Sequence, residues 1–129
     1  MSFLAKLTID GEHYNVLQCK YSFFQGTDSS GKPQGLCRGG QLDLCIESNG
    51  SPNFIDWMLS THKSKDGVLT FYRRDAMSKL QEIKFEKGFC INFSEEFEAD
   101  SNHPMRITVT ISSHKLDFGG VSYQNSWKS

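Results

Sequence analysis

No apolar run in this chain approaches the ~20 residues that a membrane-spanning helix needs. Direct insertion into a bilayer is therefore not expected. The first nine residues, Met1-Ser2-Phe3-Leu4-Ala5-Lys6-Leu7-Thr8-Ile9, lack a basic segment followed by an apolar block, so they do not read as a secretory signal peptide. The expectation is synthesis in the cytoplasm, with any export through a dedicated machine. Charge of one sign is also missing: 14 Lys and Arg stand against 15 Asp and Glu, a net charge of -1. With no basic stripe, and no aromatics interleaved with Arg or Lys runs, the footprint of nucleic-acid binding is absent. The four cysteines, Cys19, Cys37, Cys45 and Cys90, include no C-x-x-C pair, which argues against structural zinc. They read as small apolar core or interface residues of a reducing compartment rather than as disulfides.

Catalytic signatures are equally scarce. The chain contains no H-E-x-x-H, no G-x-S-x-G and no phosphate-binding glycine loop. His13, His62, His103 and His114 are dispersed and read as surface or structural residues. Glu95 and Glu96 cannot share a site in a regular strand, because consecutive side chains point to opposite faces; a solvated face is the better reading. Arg38-Gly39-Gly40 could cradle an anion, although a bulge or tight strand entry explains the glycines more simply. Neither cofactor nor metal is implied, and the expectation is a binding or structural module, not an enzyme.

What is present is β patterning. The 129 residues suit one domain, 1–129. Phe3, Ala5, Leu7 and Ile9 alternate with polar or opposite-face residues up to Asp10-Gly11, a hairpin signal. A long strand follows over His13 to Phe24, with large side chains on both faces at its centre. Leu42, Leu44 and Ile46 share a face of the next. The period then becomes helical: Ser51-Pro52 reads as an N-cap with Pro at N1, followed by Phe54, Ile55, Trp57 and Met58. Asp56 sits early, where the helix dipole favours an acid. About three turns are expected, ending near His62-Lys63 and packing on the barrel as core or interface. Strands resume at Val68–Arg74 and at Leu80–Glu86. Phe89, Ile91, Phe93 and Phe97 form an apolar ladder. Arg106–Ser112 is the cleanest alternation in the chain; His114–Phe118 either continues it or returns after a bend, and Gly119-Gly120 breaks the pattern. The fold class is mainly β, a single barrel or sandwich with one short α-helix and a long inter-strand loop.

That loop, Gln25 to Arg38, is the most informative stretch. Two antiparallel strands need only about 2–5 residues to turn, and this connection is far longer and polar. Thr27-Asp28 and Ser30-Gly31 can bond their own backbone, and Pro33 fixes φ, so the segment reads as an ordered arm. An ordered arm that cannot bury itself must lie on something else, and a neighbouring subunit is the natural candidate.

Asn15-Val16-Leu17, Cys19, Tyr21-Ser22, Gln25, Thr27-Asp28, Gly31, Pro33 and Arg38-Gly39-Gly40 together resemble the Hcp family, the TssD tube proteins of type VI secretion systems. Phe71–Asp75, Phe85 with Cys90, Pro104-Met105, Ile111-Ser112 and Asn125-x-Trp127 resemble its later segments, in order and over nearly the whole chain. They look like a divergent branch of that family. The resemblance implies a barrel-like subunit that closes into hexameric rings, stacked as a tube. It further implies a VgrG-type spike, a contractile sheath and baseplate, and effector proteins carried in the lumen as partners. The interface residues it points to are Gln25, Thr27, Asp28, Lys32, Pro33 and Arg38 on the arm, with Arg73, Arg74 and Asp75 near a rim. Two other classes compete. One is a monomeric small-ligand barrel with Phe23, Phe85, Phe89, Ile91 and Phe93 lining a cavity. The other is an enzyme using Cys19, Cys37 or Cys90 as nucleophile, which would need a depressed thiol pKa and a nearby base.

Overall fold

The computed structural model describes residues 3–73, 75, 78–125 and 127. Its elements run β1 (Phe3–Ile9), β2 (Glu12–Tyr21), β3 (Phe24–Thr27), β4 (Pro33–Arg38), β5 (Gln41–Glu47), α1 (Asn53–Leu59), β6 (Lys65–Arg73), β7 (Lys79–Phe97), β8 (Met105–Asp117) and β9 (Ser122–Gln124). The main sheet has the order β5-β2-β1-β6-β7-β8-β9, and β5 also pairs with β8. Six strands thereby close into an antiparallel barrel, with β9 added beside the end of β8. Closure hides edges that strands of this length would otherwise present.

The alternation read from sequence is what fills the barrel. Leu7 and Ile9 of β1, Leu42, Leu44 and Ile46 of β5, and Ile107, Val109 and Ile111 of β8 are all buried. Each such side chain contributes roughly 1.5–3 kcal/mol by leaving water. Leu69, Ile83 and Phe85 complete the packing. Phe85 lies so close to Gly67 that a Cβ there would overlap its ring, which is why that position in β6 has no side chain. The interior is thus a packed core, and Phe85 belongs to it.

Several boundaries differ from the sequence expectation. The segments 80–86 and 89–97 form one continuous strand, β7. Its inward parity switches at Lys87, which has φ 51°, so that Ile83 and Phe85 point in before it and Cys90 after it. The expected apolar ladder is broken by this switch, which leaves Ile91 47% exposed; a bulge between Cys90 and Asn92 then returns Phe93 to the core, while Phe97 at the strand end is 66% exposed. Strand β8 continues through His114 to Asp117 rather than bending. Gly119 and Gly120, at φ 80° and 104°, then turn the chain into β9, an element the sequence reading missed.

The helix is shorter than expected, seven residues instead of about three turns. Its N-cap is Pro52, one residue later than the expected Ser51, and no side chain caps it; the Ser51 Oγ accepts the Asn53 N–H at 3.2 Å in the turn just before the helix. It stops because Ser60 turns extended (φ -101°, ψ 94°) and its hydroxyl donates to the Asp56 carbonyl at 2.8 Å. Trp57 then holds the following segment, its Nε1–H donating to the Lys63 carbonyl at 2.8 Å. Phe54 and Trp57 are the buried face of α1 and contact β7 and the β1–β2 end of the barrel. Phe54 meets Tyr14 edge-on at 5.0 Å. Lys65 lies over the Trp57 ring and pairs through Nζ with Asp10 Oδ2 at 2.7 Å, with only 7% of its side chain exposed. The expectation that the helix packs on its own barrel is met.

Candidate assembly surface

The long connection after β2 folds into a structure of its own. Strand β2 ends at Tyr21, short of the expected Phe24, and β3 and β4 pair only with each other. The register Phe24↔Arg38, Gly26↔Gln34 and Thr27↔Pro33 includes a bulge between Phe24 and Gly26. The arm is therefore a β-hairpin instead of a loop. Asp28 makes its turn: Oδ1 accepts the Ser30 N–H at 2.9 Å, the Ser30 hydroxyl at 2.7 Å and the Lys32 N–H at 3.0 Å. Those donors, the Ser30 hydroxyl first, hold the Asp28 carboxyl below its ordinary range. Gly31 supplies the left-handed residue at φ 89°.

The hairpin is an ordered but uncovered ribbon. Every residue of β4 is exposed, including Leu36 at 76%, and Phe24 of β3 is 68% exposed. A two-stranded ribbon is at best marginally stable alone in water. Two features hold this one: its turn, and a latch at its base. The Gly39 N–H donates to the Tyr123 hydroxyl at 3.0 Å, and that hydroxyl donates to Asn125 Oδ1 at 2.9 Å. Asn125 Nδ2–H donates to the Ser113 carbonyl at 2.7 Å, and the Ser113 N–H to the Gly40 carbonyl at 2.8 Å. Phe23 packs edge-on to Tyr123 at 5.0 Å and to Phe118 at 5.8 Å. A Cβ on Gly39 would overlap Phe23, and one on Gly40, which has φ 94°, would overlap the Asn125 amide. The two glycines serve tight strand entry, as the simpler reading held. The latch was not legible in sequence, since Gly39 and Tyr123 are 84 residues apart.

The other expected site residues fall as follows. Gln25, Thr27, Lys32, Pro33 and Arg38 are exposed on the hairpin with Asp28. Arg73 is exposed at the end of β6, opposite Phe3, and its N–H donates to the Ser78 carbonyl at 2.9 Å. Asp75 is exposed in the following turn, and Arg74 lies outside the described residues. Both groups sit at strand ends remote from the β1–β2 turn, and no hydrogen bond or ion pair among the described residues joins them. Near the far end of β7, Arg106 pairs with Glu96 and with Glu98, the latter at 3.2 Å, in keeping with a solvated charged face.

Of the five residues named for a ligand cavity, Phe85 is interior, Phe93 packs against the core, Phe23 is 40% exposed on the outside, and Phe89 and Ile91 line an open groove of about 560 Å³ on the outer side of β7. Burial pushes the Cys19 thiol up to about 11 and raises that of Cys90 as well, the opposite of an activated nucleophile. Among the described residues no group of three or more His, Cys, Asp or Glu is placed to hold a metal. No helix among them is long and apolar enough to cross a membrane.

The fold is shared with solved structures. Hcp1 from Flavobacterium johnsoniae is 36% identical, with a TM-score of 0.90 over 95% of this chain and 99% of that one. Hcp1 from Salmonella typhimurium, at 19% identity and TM-score 0.77, covers 96% of this chain and 95% of its own. A type VI secretion system effector from Yersinia pestis, at 16% identity and TM-score 0.69, covers 94% and 99%. At those lower identities the likeness is one of fold. No curated protein sequence matches. The model of the hemolysin coregulated protein Hcp (TssD) matches residues 1–128, and with an uncovered hairpin on a closed six-stranded barrel the chain belongs to the Hcp (TssD) family.

Proposed function

We infer that this chain is a structural subunit of the type VI secretion inner tube. Hcp proteins are tube components, not enzymes, and they assemble into rings and tubes. The one-domain subunit closes hexameric rings that stack, and a contractile sheath on a baseplate drives the tube, tipped by a VgrG-type spike. Small effectors travel in the lumen. The tube leaves the cytoplasm through this apparatus. The hairpin carries the interface reading: it is ordered, entirely uncovered along β4, and too small to be stable as a free ribbon. Gln25, Thr27, Asp28, Lys32, Pro33 and Arg38 are its contact residues, and Arg73, Arg74 and Asp75 supply charged contacts near a rim. Ring closure requires a heterologous interface, in which one patch meets a different patch of the next copy.

Negative-stain electron microscopy of the purified chain, with its native mass, tests the assembly. Six-fold rings or stacks are expected, and a monomer across a concentration series would overturn the reading. Deleting Asp28–Lys32 together with Arg38→Ala should abolish stacking while leaving the β spectrum unchanged. Normal tubes from that variant would remove the hairpin from the interface.

A further inference from the structure

The turn between β5 and α1 holds the chain's single Asn-Gly step, Asn49-Gly50, and both residues are exposed. Gly50 has φ 83°, and a Cβ placed there would meet nothing within 4 Å, so its peptide nitrogen is unshielded. The hydrogen bonds around this step prepare a reaction within the turn. Asn49 Oδ1 accepts the Ser51 N–H at 2.9 Å. That bond folds the side chain back over the peptide that follows it and polarises the amide carbonyl. The Gly50 N–H donates to the Ser48 Oγ at 3.2 Å, so the proton that must leave this nitrogen already has an acceptor. The other end of the amide, Asn49 Nδ2, makes only a long 3.5 Å contact to the His13 carbonyl. Nucleophile, electrophile and leaving group are thus held together by adjacent residues, the condition under which proximity lowers a barrier most. A pocket of about 340 Å³ bordered by Ser48, Gly50 and Ser51 admits water.

We propose that Asn49 is a self-modification site, converting to aspartate and isoaspartate in the folded chain. The Gly50 nitrogen attacks Asn49 Cγ and forms a C–N bond. The Cγ–Nδ2 bond breaks, and Nδ2 departs as ammonia with the Gly50 proton. Water then opens the cyclic imide. Opening at Cγ leaves an aspartate; opening at the main-chain carbonyl leaves an isoaspartate, whose backbone runs through Cβ and Cγ. No oxidant or reductant takes part. Either product puts a new carboxylate in the turn, and the isoaspartate also lengthens the backbone by a methylene. The change falls just before Ser51, whose hydroxyl accepts the Asn53 N–H at the start of α1, so it marks the age of the chain at the segment that seats the helix.

Peptide mass spectrometry of the full wild-type chain, incubated folded and unfolded in urea, tests this without any variant. The peptide containing Asn49 should show the mass change of an amide NH2 replaced by OH, faster at mildly alkaline than at neutral pH. It should also accept methyl groups from an isoaspartyl carboxyl methyltransferase. Because the turn organises the reaction, the folded chain should react at least as fast as the unfolded one. A slower rate in the folded chain would overturn the proposal, since the fold would then protect Asn49. Two exposed-turn variants locate the chemistry. Asn49→Gln should abolish the modification, and Ser48→Ala should slow it about fivefold by removing the proton acceptor. Methyl acceptance that persists in Asn49→Gln would place the modification elsewhere, and Ser48→Ala reacting at the wild-type rate would remove Ser48 from it.

Discussion

Tyr123→Phe isolates the latch beneath the hairpin. The substitution keeps the ring, and with it the 5.0 Å edge-on contact to Phe23, and removes only the hydroxyl. That oxygen accepts the Gly39 N–H at 3.0 Å and donates to Asn125 at 2.9 Å. A typical intramolecular hydrogen bond contributes about 1 kcal/mol, and a buried donor left unpaired costs about 1–3 kcal/mol. Tyr123 and Asn125 are only half-buried, so water can reach part of the vacated site, and the expected loss is about 1–2 kcal/mol. The loss should be local. The Leu44, Val109 and Ile111 core makes no bond to that hydroxyl and keeps its packing. Native-state hydrogen exchange should show the Gly39 amide opening roughly 5–30-fold more often, with core amides of β5 and β8 much less affected. If the subunit interface depends on a preset hairpin, the variant should also stack at a higher threshold concentration. Exchange at Gly39 within about twofold of wild type, a difference under ~0.4 kcal/mol, would refute the latch.

Three further outcomes follow from the geometry. Asp10→Asn should cost about 1–3 kcal/mol in urea unfolding, below the ~3–5 kcal/mol of a fully buried broken pair because Asp10 is half exposed; adding Lys65→Met should recover most of it, and simple additivity of the two would refute the pair. The Asp28 carboxyl is depressed by its turn donors, so its contribution to the hairpin is complete above its ordinary value of 3.8 and lost as pH falls through the lower folded value. The Ser30 and Lys32 amide resonances should therefore shift together only in strong acid, and a titration at the ordinary carboxylate pH would contradict the turn geometry. Among the four free thiols, exposed Cys37 should react first with a disulfide reagent near pH 8, while Cys19 and Cys90 lag. Cys37→Ser should delete the fast phase, and its persistence would show that the hairpin is covered differently.

Much of the fold was legible because strands advertise themselves locally. The alternation of Leu42, Leu44 and Ile46, and of Ile107, Val109 and Ile111, depends on a period of two residues and on nothing distant. The Asp28 turn was readable for the same reason, since its bonds span two to four residues. The length of the segment from Gln25 to Arg38 was enough to mark an arm, and the motifs spread through the chain were enough to indicate the family.

Tertiary structure decided what depends on partners far away in the chain. Whether the sheet closes rests on β5 finding β8, residues such as Leu44 and Val109 pairing side by side across the closing seam. The helix stops at Leu59 because Ser60 turns extended, and the Trp57 indole N–H then holds the Lys63 carbonyl, a bond that propensity over 60–63 does not foresee. The apolar ladder from Phe89 to Phe97 failed because a positive-φ Lys87 inverts the faces through Ile91, and a second register shift between Cys90 and Asn92 turns Phe93 back to the core. Gly39, Gly40, Tyr123 and Asn125 acquire their joint role only once β9 folds back beside β8. Period and turn chemistry are properties of neighbours in sequence, whereas closure and latch are properties of which distant strands meet.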